Sequence, residues 1–214
     1  MTLLNRGTEE AAMTDSGIAQ QVDPRAVVRG LVTDVTPHDA LEADHRAWML
    51  DWIDSGAQLF RVEKPATPPK HLAVYAVLLD EASRSVMLVA HILAQKWLMP
   101  GGHVDEGEDP RETVLRELQE ELQIAPQFHR AFGDAPAFLT VTWTVPPFSH
   151  HDATLWFVFD ADRSVPVIPD PREFSEVRWW SLDAPEGYSG GDFDPGFSRF
   201  LDKLSAHLSS HYAQ

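Results

Sequence analysis

An α/β architecture is the fold class this sequence predicts, and three observations carry it. Runs rich in β-branched and aromatic residues recur between residues 71 and 181. A proline-capped amphipathic stretch interrupts them at Asp109-Pro110, and another closes the chain after Asp194-Pro195. Strands alternating with helical stretches over this span argue for a sheet covered by helices.

Taken in order, residues 1–24 are polar and small, without an apolar run long enough for a signal peptide or a membrane span. They read as a mobile extension, with Met13 an alternative start. Residues 26–35 alternate weakly through Val27, Val28, Leu31, Val32 and Val35 and are expected as a short strand or an extended arm. Thr36-Pro37 then opens a helix to about Gly56, with Leu41, Trp48, Met49, Trp52 and Ile53 at helical spacing. Such a stripe is usually core or a partner seam; base stacking by Trp48 or Trp52 is the rarer use.

Pro65, Pro68 and Pro69 mark 57–71 as a linker. The chain thus divides into an extension (1–24), an arm, helix and linker (25–69), and a catalytic module with a C-terminal helix (70–214). Within the module, strands are expected over 71–80, 85–91, 137–145, 152–160 and 175–181, with a turn at 80–84 and a loop over 183–192. Residues 96–100 form an extended approach to the pair Gly101-Gly102. Phe197, Phe200, Leu201, Leu204 and Leu208 give the last helix a core face.

Residues 101–124, GGHVDEGEDPRETVLRELQEELQI, concentrate the chemistry. Pro110 suits the first helical position, and Asp109 can cap it, with Glu112 completing a capping-box pattern. At about 100° per residue, Val114, Leu115, Leu118 and Leu122 share one face, and Glu117, Glu120 and Glu121 form the adjoining stripe. Glu117 and Glu121, one turn apart, repel each other. A solvated acidic face is the plain explanation. A site for a hard cation such as Mg²⁺, completed by substrate phosphates, is the other.

Gly102, Glu108 and the run Arg116-Glu117-Leu118-Gln119-Glu120-Glu121-Leu122-Gln123-Ile124 resemble, at this spacing, the signature box of the Nudix hydrolases. Every fixed position matches but one: Gln123 stands where the family has a glycine. The box covers 23 residues, and flanking strand patterns extend the likeness over 70–184. The resemblance implies an α/β/α sandwich with a central mixed sheet, here extended by an N-terminal helix. It also implies Mg²⁺-dependent (or Mn²⁺-dependent) hydrolysis of a nucleoside diphosphate linked to another group, or of a related small diphosphate.

By the same resemblance Glu117, Glu120 and Glu121, with the Gly101 carbonyl, are the expected metal ligands, and Glu117, Glu120 and Arg116 the catalytic set. Arg116 would orient Glu108 or Glu120. Gly102, Lys96 and Trp97 would meet the substrate, and Asp160 or Glu173 would supply one more carboxylate. A non-catalytic sensor of the same fold, binding a nucleotide derivative, is the alternative; the four retained glutamates speak against it. At Gln123 the helix either ends in a left-handed cap or runs on to Pro126.

The net charge is −16, and no basic patch offers a footprint for polyanions, so a long nucleic acid is a poor partner and a small molecule the better one. A homodimer is compatible with this composition. The chain has no cysteine, which removes disulfides and thiolate chemistry and fits a reducing cytoplasm. It also weakens the likeness to the isopentenyl diphosphate isomerase branch. The neighbours His150 and His151 point opposite ways from a strand, so they are not expected to share a metal. One should cap a turn or contact substrate, and the other should be solvated.

Overall fold

The computed structural model of the chain describes residues 23–64, 66–144, 149–184, 188 and 191–211. The expected extension lies outside them up to residue 22, as do Pro65, Pro146-Pro147 and part of the 183–192 loop. The elements run α1 (Pro24–Asp34), α2 (Ala40–Asp54), β1 (Lys70–Asp80), β2 (Ser85–His91), β3 (Lys96–Leu98), β4 (Gly101–His103), α3 (Pro110–Leu122), β5 (Phe138–Trp143), β6 (His151–Asp160), β7 (Phe174–Ser181) and α4 (Phe197–His211).

One seven-stranded sheet organises them, in the order β3-β2-β1-β6-β5, with β4 also pairing β1 and β7 pairing β2. The β1–β6 pair is parallel and the others are antiparallel, so the sheet is mixed, as expected. Period-two alternation sends β1 side chains to both faces. Leu72, Val74, Ala76 and Leu78 join α1, α2 and α3 in one core, while Val77 and Leu79 join α4 in the other. Strand β6 divides likewise: Leu155, Phe157 and Phe159 on the first side, Trp156 and Val158 on the second. Helices therefore cover both faces.

Residues 26–35 correct the expectation of a strand or arm, because they lie in α1. Asp23-Pro24 is the device seen at Asp109-Pro110: the Asp23 carboxylate accepts from Arg25 N–H (3.0 Å) and proline takes the first turn. Val28, Leu31 and Val32 bury at helical spacing, so the weak alternation was a short helical stripe. Helix α2 starts at the Asp39 cap, three residues after Thr36, and ends just before Gly56, whose φ is 77°. Trp52 is core, and both Trp48 and Trp52 lie beneath the Lys70 ammonium (4.8 and 5.2 Å), which favours packing over base stacking.

Helix α3 stops at Gln123, in the left-handed conformation (φ 56°, ψ 39°), with its N–H bonded to Leu118 O. The carbonyls of Glu121 and Leu122 accept from Asp170 and Ile168 N–H (2.8 and 3.1 Å), so the helix end is satisfied without running on. A side chain in this conformation is strained, and Gln123→Gly should stabilise the protein by about 1 kcal/mol. Thermal melts should show a Tm higher by roughly 2–4 °C; a lower Tm would contradict a strained cap.

Candidate active site

The site is built where β4 meets α3. Gly101 has φ 150°, and a Cβ there would lie 2.0 Å from Val74 O, so only glycine lets β4 run this close against β1. A Cβ on Gly102 would lie 2.5 Å from Glu117 Oε1. The missing side chain is the space in which the Glu117 carboxylate sits. Gly101 N–H donates to Glu121 Oε2 (2.9 Å), which fixes the second carboxylate against the same strand.

Asp109 caps α3 by accepting from Arg111 N–H (2.9 Å), and its carboxylate is gripped by the Arg111 guanidinium, so Arg111 rather than Glu112 is its partner. Arg116 is the hub. Its Nε and Nη2 donate to both oxygens of Glu108 (3.0 Å each), and its Nη1 donates to Glu117 Oε1 (2.8 Å) and Glu120 Oε2 (3.4 Å). Thr113 Oγ1 donates to Glu108 Oε2 (2.8 Å). Glu108 thus anchors Arg116 through a bidentate pair, and Arg116 orients Glu117.

Burial raises the pKa of Glu117, against the pull of Arg116. Glu121 is only 4% exposed, and burial, then the charge of Glu117, push it up to about 9. Burial thus works against both charges, and Glu121 keeps its charge at neutral pH only with a cation beside it. The donor set is all oxygen, which fits a hard divalent ion.

Glu120 is exposed, as a proton acceptor reaching into solvent would be. Glu173 is near enough for its charge to raise both Glu117 and Glu121. Asp160 instead sits near His129 (3.4 Å) at the far end of β6 and is not gathered into the site.

A cavity of about 490 Å³ opens on Gly101 and Gly102. The carboxylates stand behind that strand rather than in the wall. Lys96 lines the cavity, with Nζ donating to Gly191 O, whereas Trp97 turns away and packs on Trp180 beneath Arg178. Trp97 is therefore not in the lining of this cavity, since successive residues of β3 face opposite ways. Trp143 lines the cavity and is 59% exposed. It drew no attention in the sequence, because an aromatic at a strand end looks like any other β-former.

Two polar features of the wall were also missed. Asp194, buried beside α4, accepts from Gly196 N–H (2.7 Å) and Tyr75 OH (3.4 Å), and burial pushes its pKa up to about 6. The unfolded chain releases this proton near pH 4, so stability contributed by Asp194 falls as pH rises from about 4 to about 6. Asp194→Asn should remove that fall, stabilising the protein by about 2 kcal/mol at pH 7 and by little at pH 4. Denaturant midpoints at the two pH values check it; an equal shift at both would contradict it.

The second feature is a histidine cluster. His150 does not pair with His151, which packs between Trp143 and Trp48 rather than in open solvent. His150 meets His71, His103 and Asp152 instead. Their positions are scattered in the chain, so no spacing announced them.

A family model for the NUDIX domain matches residues 69–201. The chain belongs to the Nudix family. It is 48% identical over 112 residues to an 8-oxo-dGTP diphosphatase of Escherichia coli, covering 52% of this chain and 76% of that protein. Nudix hydrolase 26, chloroplastic, of Arabidopsis thaliana is 29% identical over 151 residues, covering 62% and 68%. An RNA pyrophosphohydrolase of Cereibacter sphaeroides is 36% identical over 95 residues; the match spans 39% of this chain and only 57% of that protein. This Nudix hydrolase carries its family's chemistry, hydrolysis of phosphoanhydride bonds. Among the described residues no helix is long and apolar enough to cross a membrane.

Proposed function

We propose that this protein is a Mg²⁺-dependent pyrophosphohydrolase (Mn²⁺ serving in its place) for a small nucleoside diphosphate joined to another group. The observation that carries the reading is the pair of buried Glu121 and half-buried Glu117, set against Gly101 and Gly102 with Arg116 as the near cation. Glu117, Glu120 and Glu121, with the Gly101 carbonyl, would hold the ion. A hard cation there neutralises phosphate oxygens and activates water. Gly102 lets the diphosphate approach the backbone. Arg116, braced by Glu108, aims the Glu117 carboxylate, and exposed Glu120 takes the proton from the attacking water. Glu173 is the carboxylate outside the box best placed to assist.

The ligand's other part would enter the cavity. Trp143 offers a flat apolar face for a base, and Lys96 a positive charge near a second phosphate. With a net charge of −16, a small ligand drawn in locally is a better fit than a long RNA. The family match and the small-nucleotide activity in the name of the Escherichia coli relative support this reading.

The test is a panel of nucleoside triphosphates, sugar-linked nucleoside diphosphates and dinucleoside polyphosphates, with products identified by mass. Turnover should vanish in excess chelator and return with Mg²⁺ or Mn²⁺, and Trp143→Ala should raise KM more than it lowers kcat. Sustained hydrolysis in chelator would overturn the metal-dependent reading.

A further inference from the structure

We propose that His71, His103, His150 and Asp152 form a second cation site, separate from the glutamate platform, that takes one zinc-like divalent ion. Three adjacent strands bring these residues together. In the β1–β6 register His71 pairs with Asp152, and in the β1–β4 register Ala73 pairs with His103. His150 immediately precedes β6.

The donor atoms converge. Asp152 Oδ1 lies 3.0 Å from His150 Nε2, 3.3 Å from His103 Nε2 and 3.6 Å from His71 Nε2. The Nε2 atoms of His103 and His150 are 3.3 Å apart, and all four donors fall within 4.8 Å of one another. An ion with tetrahedral ligands at about 2.0–2.1 Å spaces them by roughly 3.3–3.4 Å.

His71 supplies a second, independent observation. Its ring is wholly buried, and Nδ1 lies 2.7 Å from Pro68 O. A carbonyl can only accept, so Nδ1 carries the proton and Nε2 presents a lone pair. That lone pair faces Asp152 Oδ1 at 3.6 Å, and it is buried without a hydrogen-bond partner among the described residues. Two acceptors aimed at one another need a positive centre between them. The carbonyl behind the imidazole is also the usual outer support of a metal-bound histidine.

His150 has Thr144 Oγ1 at its Nδ1 (3.1 Å) in the corresponding place. His103 differs. Arg61 Nη1 donates to its Nδ1 (2.7 Å), which leaves the proton on Nε2, so ligation by His103 requires Arg61 to swing off. The core set is accordingly His71, His150 and Asp152, with His103 completing the tetrahedron.

Imidazole-rich sets favour zinc-class ions, whereas all-oxygen sets favour Mg²⁺, so the two sites sort their metals. Four protein ligands leave no open position, and the ion's role is structural: it ties β1, β4 and β6 together in the wall that holds Gly101 and Gly102.

The full-length chain, carrying no histidine tag and stripped with dipicolinate, is titrated with ZnCl₂ in excess MgCl₂, and bound metal is counted by mass spectrometry after desalting. One zinc per chain is expected to remain. It should be lost in His150→Gln and Asp152→Asn and kept in the double variant Glu117→Gln, Glu121→Gln. Co²⁺ on the wild type should give the intense visible bands of a four-coordinate site, a readout that does not depend on any variant folding. Substoichiometric zinc, zinc kept by His150→Gln and Asp152→Asn, zinc lost in the glutamate variant, or a weak six-coordinate cobalt spectrum would each overturn the proposal.

Discussion

Glu117→Gln and Glu121→Gln should each lower turnover by about two orders of magnitude or more, while the metal-free protein becomes as stable as the wild type or more so. The two effects have one origin. Glu121 is buried with Glu117 half-buried beside it, and burial raises their pKa values, so without a cation their charge opposes folding. An amide removes that charge and keeps nearly the same shape. In Glu121→Gln the side-chain oxygen can still accept from Gly101 N–H. Saturating Mg²⁺ should raise the wild-type Tm by mass action, and the variants should lose most of that rise. Steady-state rates and melts with and without Mg²⁺ measure both halves. Near-normal turnover with intact Mg²⁺ stabilisation in both variants would reduce the glutamate stripe to a solvated face.

Gly101→Ala and Gly102→Ala should fail in different ways, although the residues are adjacent. At Gly101 the added methyl meets the Val74 carbonyl oxygen at 2.0 Å, and the backbone there has φ 150°. Neither main chain can yield without unpairing β4 from β1, so the loss should exceed about 3 kcal/mol and soluble yield should fall. At Gly102 the methyl meets the end of the Glu117 side chain, at 2.5 Å from Oε1. A side chain can turn aside, so stability should shift by less than about 1 kcal/mol. Turned aside, however, Glu117 leaves Arg116 and the ion, and turnover should fall at least about a hundredfold. Melting temperature and kcat, read together on the two variants, separate the roles. Equal activity in Gly102→Ala and wild type would show that the glycine is not there for the carboxylate.

The scaffold was legible wherever chemistry is local. Asp109-Pro110 marks a helix start because proline and a short carboxylate act on their own neighbours, and the order of strands follows from apolar runs and turn residues. Misreading 26–35 as a strand shows the limit of a short window: Val27, Val28, Leu31 and Val32 fit both periods until the Asp23-Pro24 cap is weighed. In the site, Glu117 and Glu121 were visible because one helix carries both. Arg116 had two candidate partners by the family resemblance, Glu108 and Glu120, and only the folded loop shows the bidentate pair to Glu108. Which of Lys96 and Trp97 faces the cavity was not legible, because a three-residue strand does not reveal its facing. The cluster of His71, His103, His150 and Asp152 lay beyond reach, since strand pairing alone brings those positions together.

The clasp between α2 and α4 changes what counts as the catalytic unit. Arg199 donates to both oxygens of Asp39 (2.7 and 2.6 Å), and Lys203 donates to Glu42 (2.7 Å), which is wholly buried. His45 accepts from Val141 N–H on the edge strand β5 (3.3 Å), and Arg25 ties α1 to the end of α2 through the carbonyls of Ile53 and Ala57. The stretch before residue 69 therefore serves as a belt, buckled across an edge of the sheet to the last helix. A fragment trimmed to the Nudix match would strip the cover from Leu72, Val74 and Leu155 and leave Arg199 without its counter-charge, Asp39. The limits of the recognisable family sequence are not the limits of the packed unit, because α1 and α2 share a core with the sheet that carries the match.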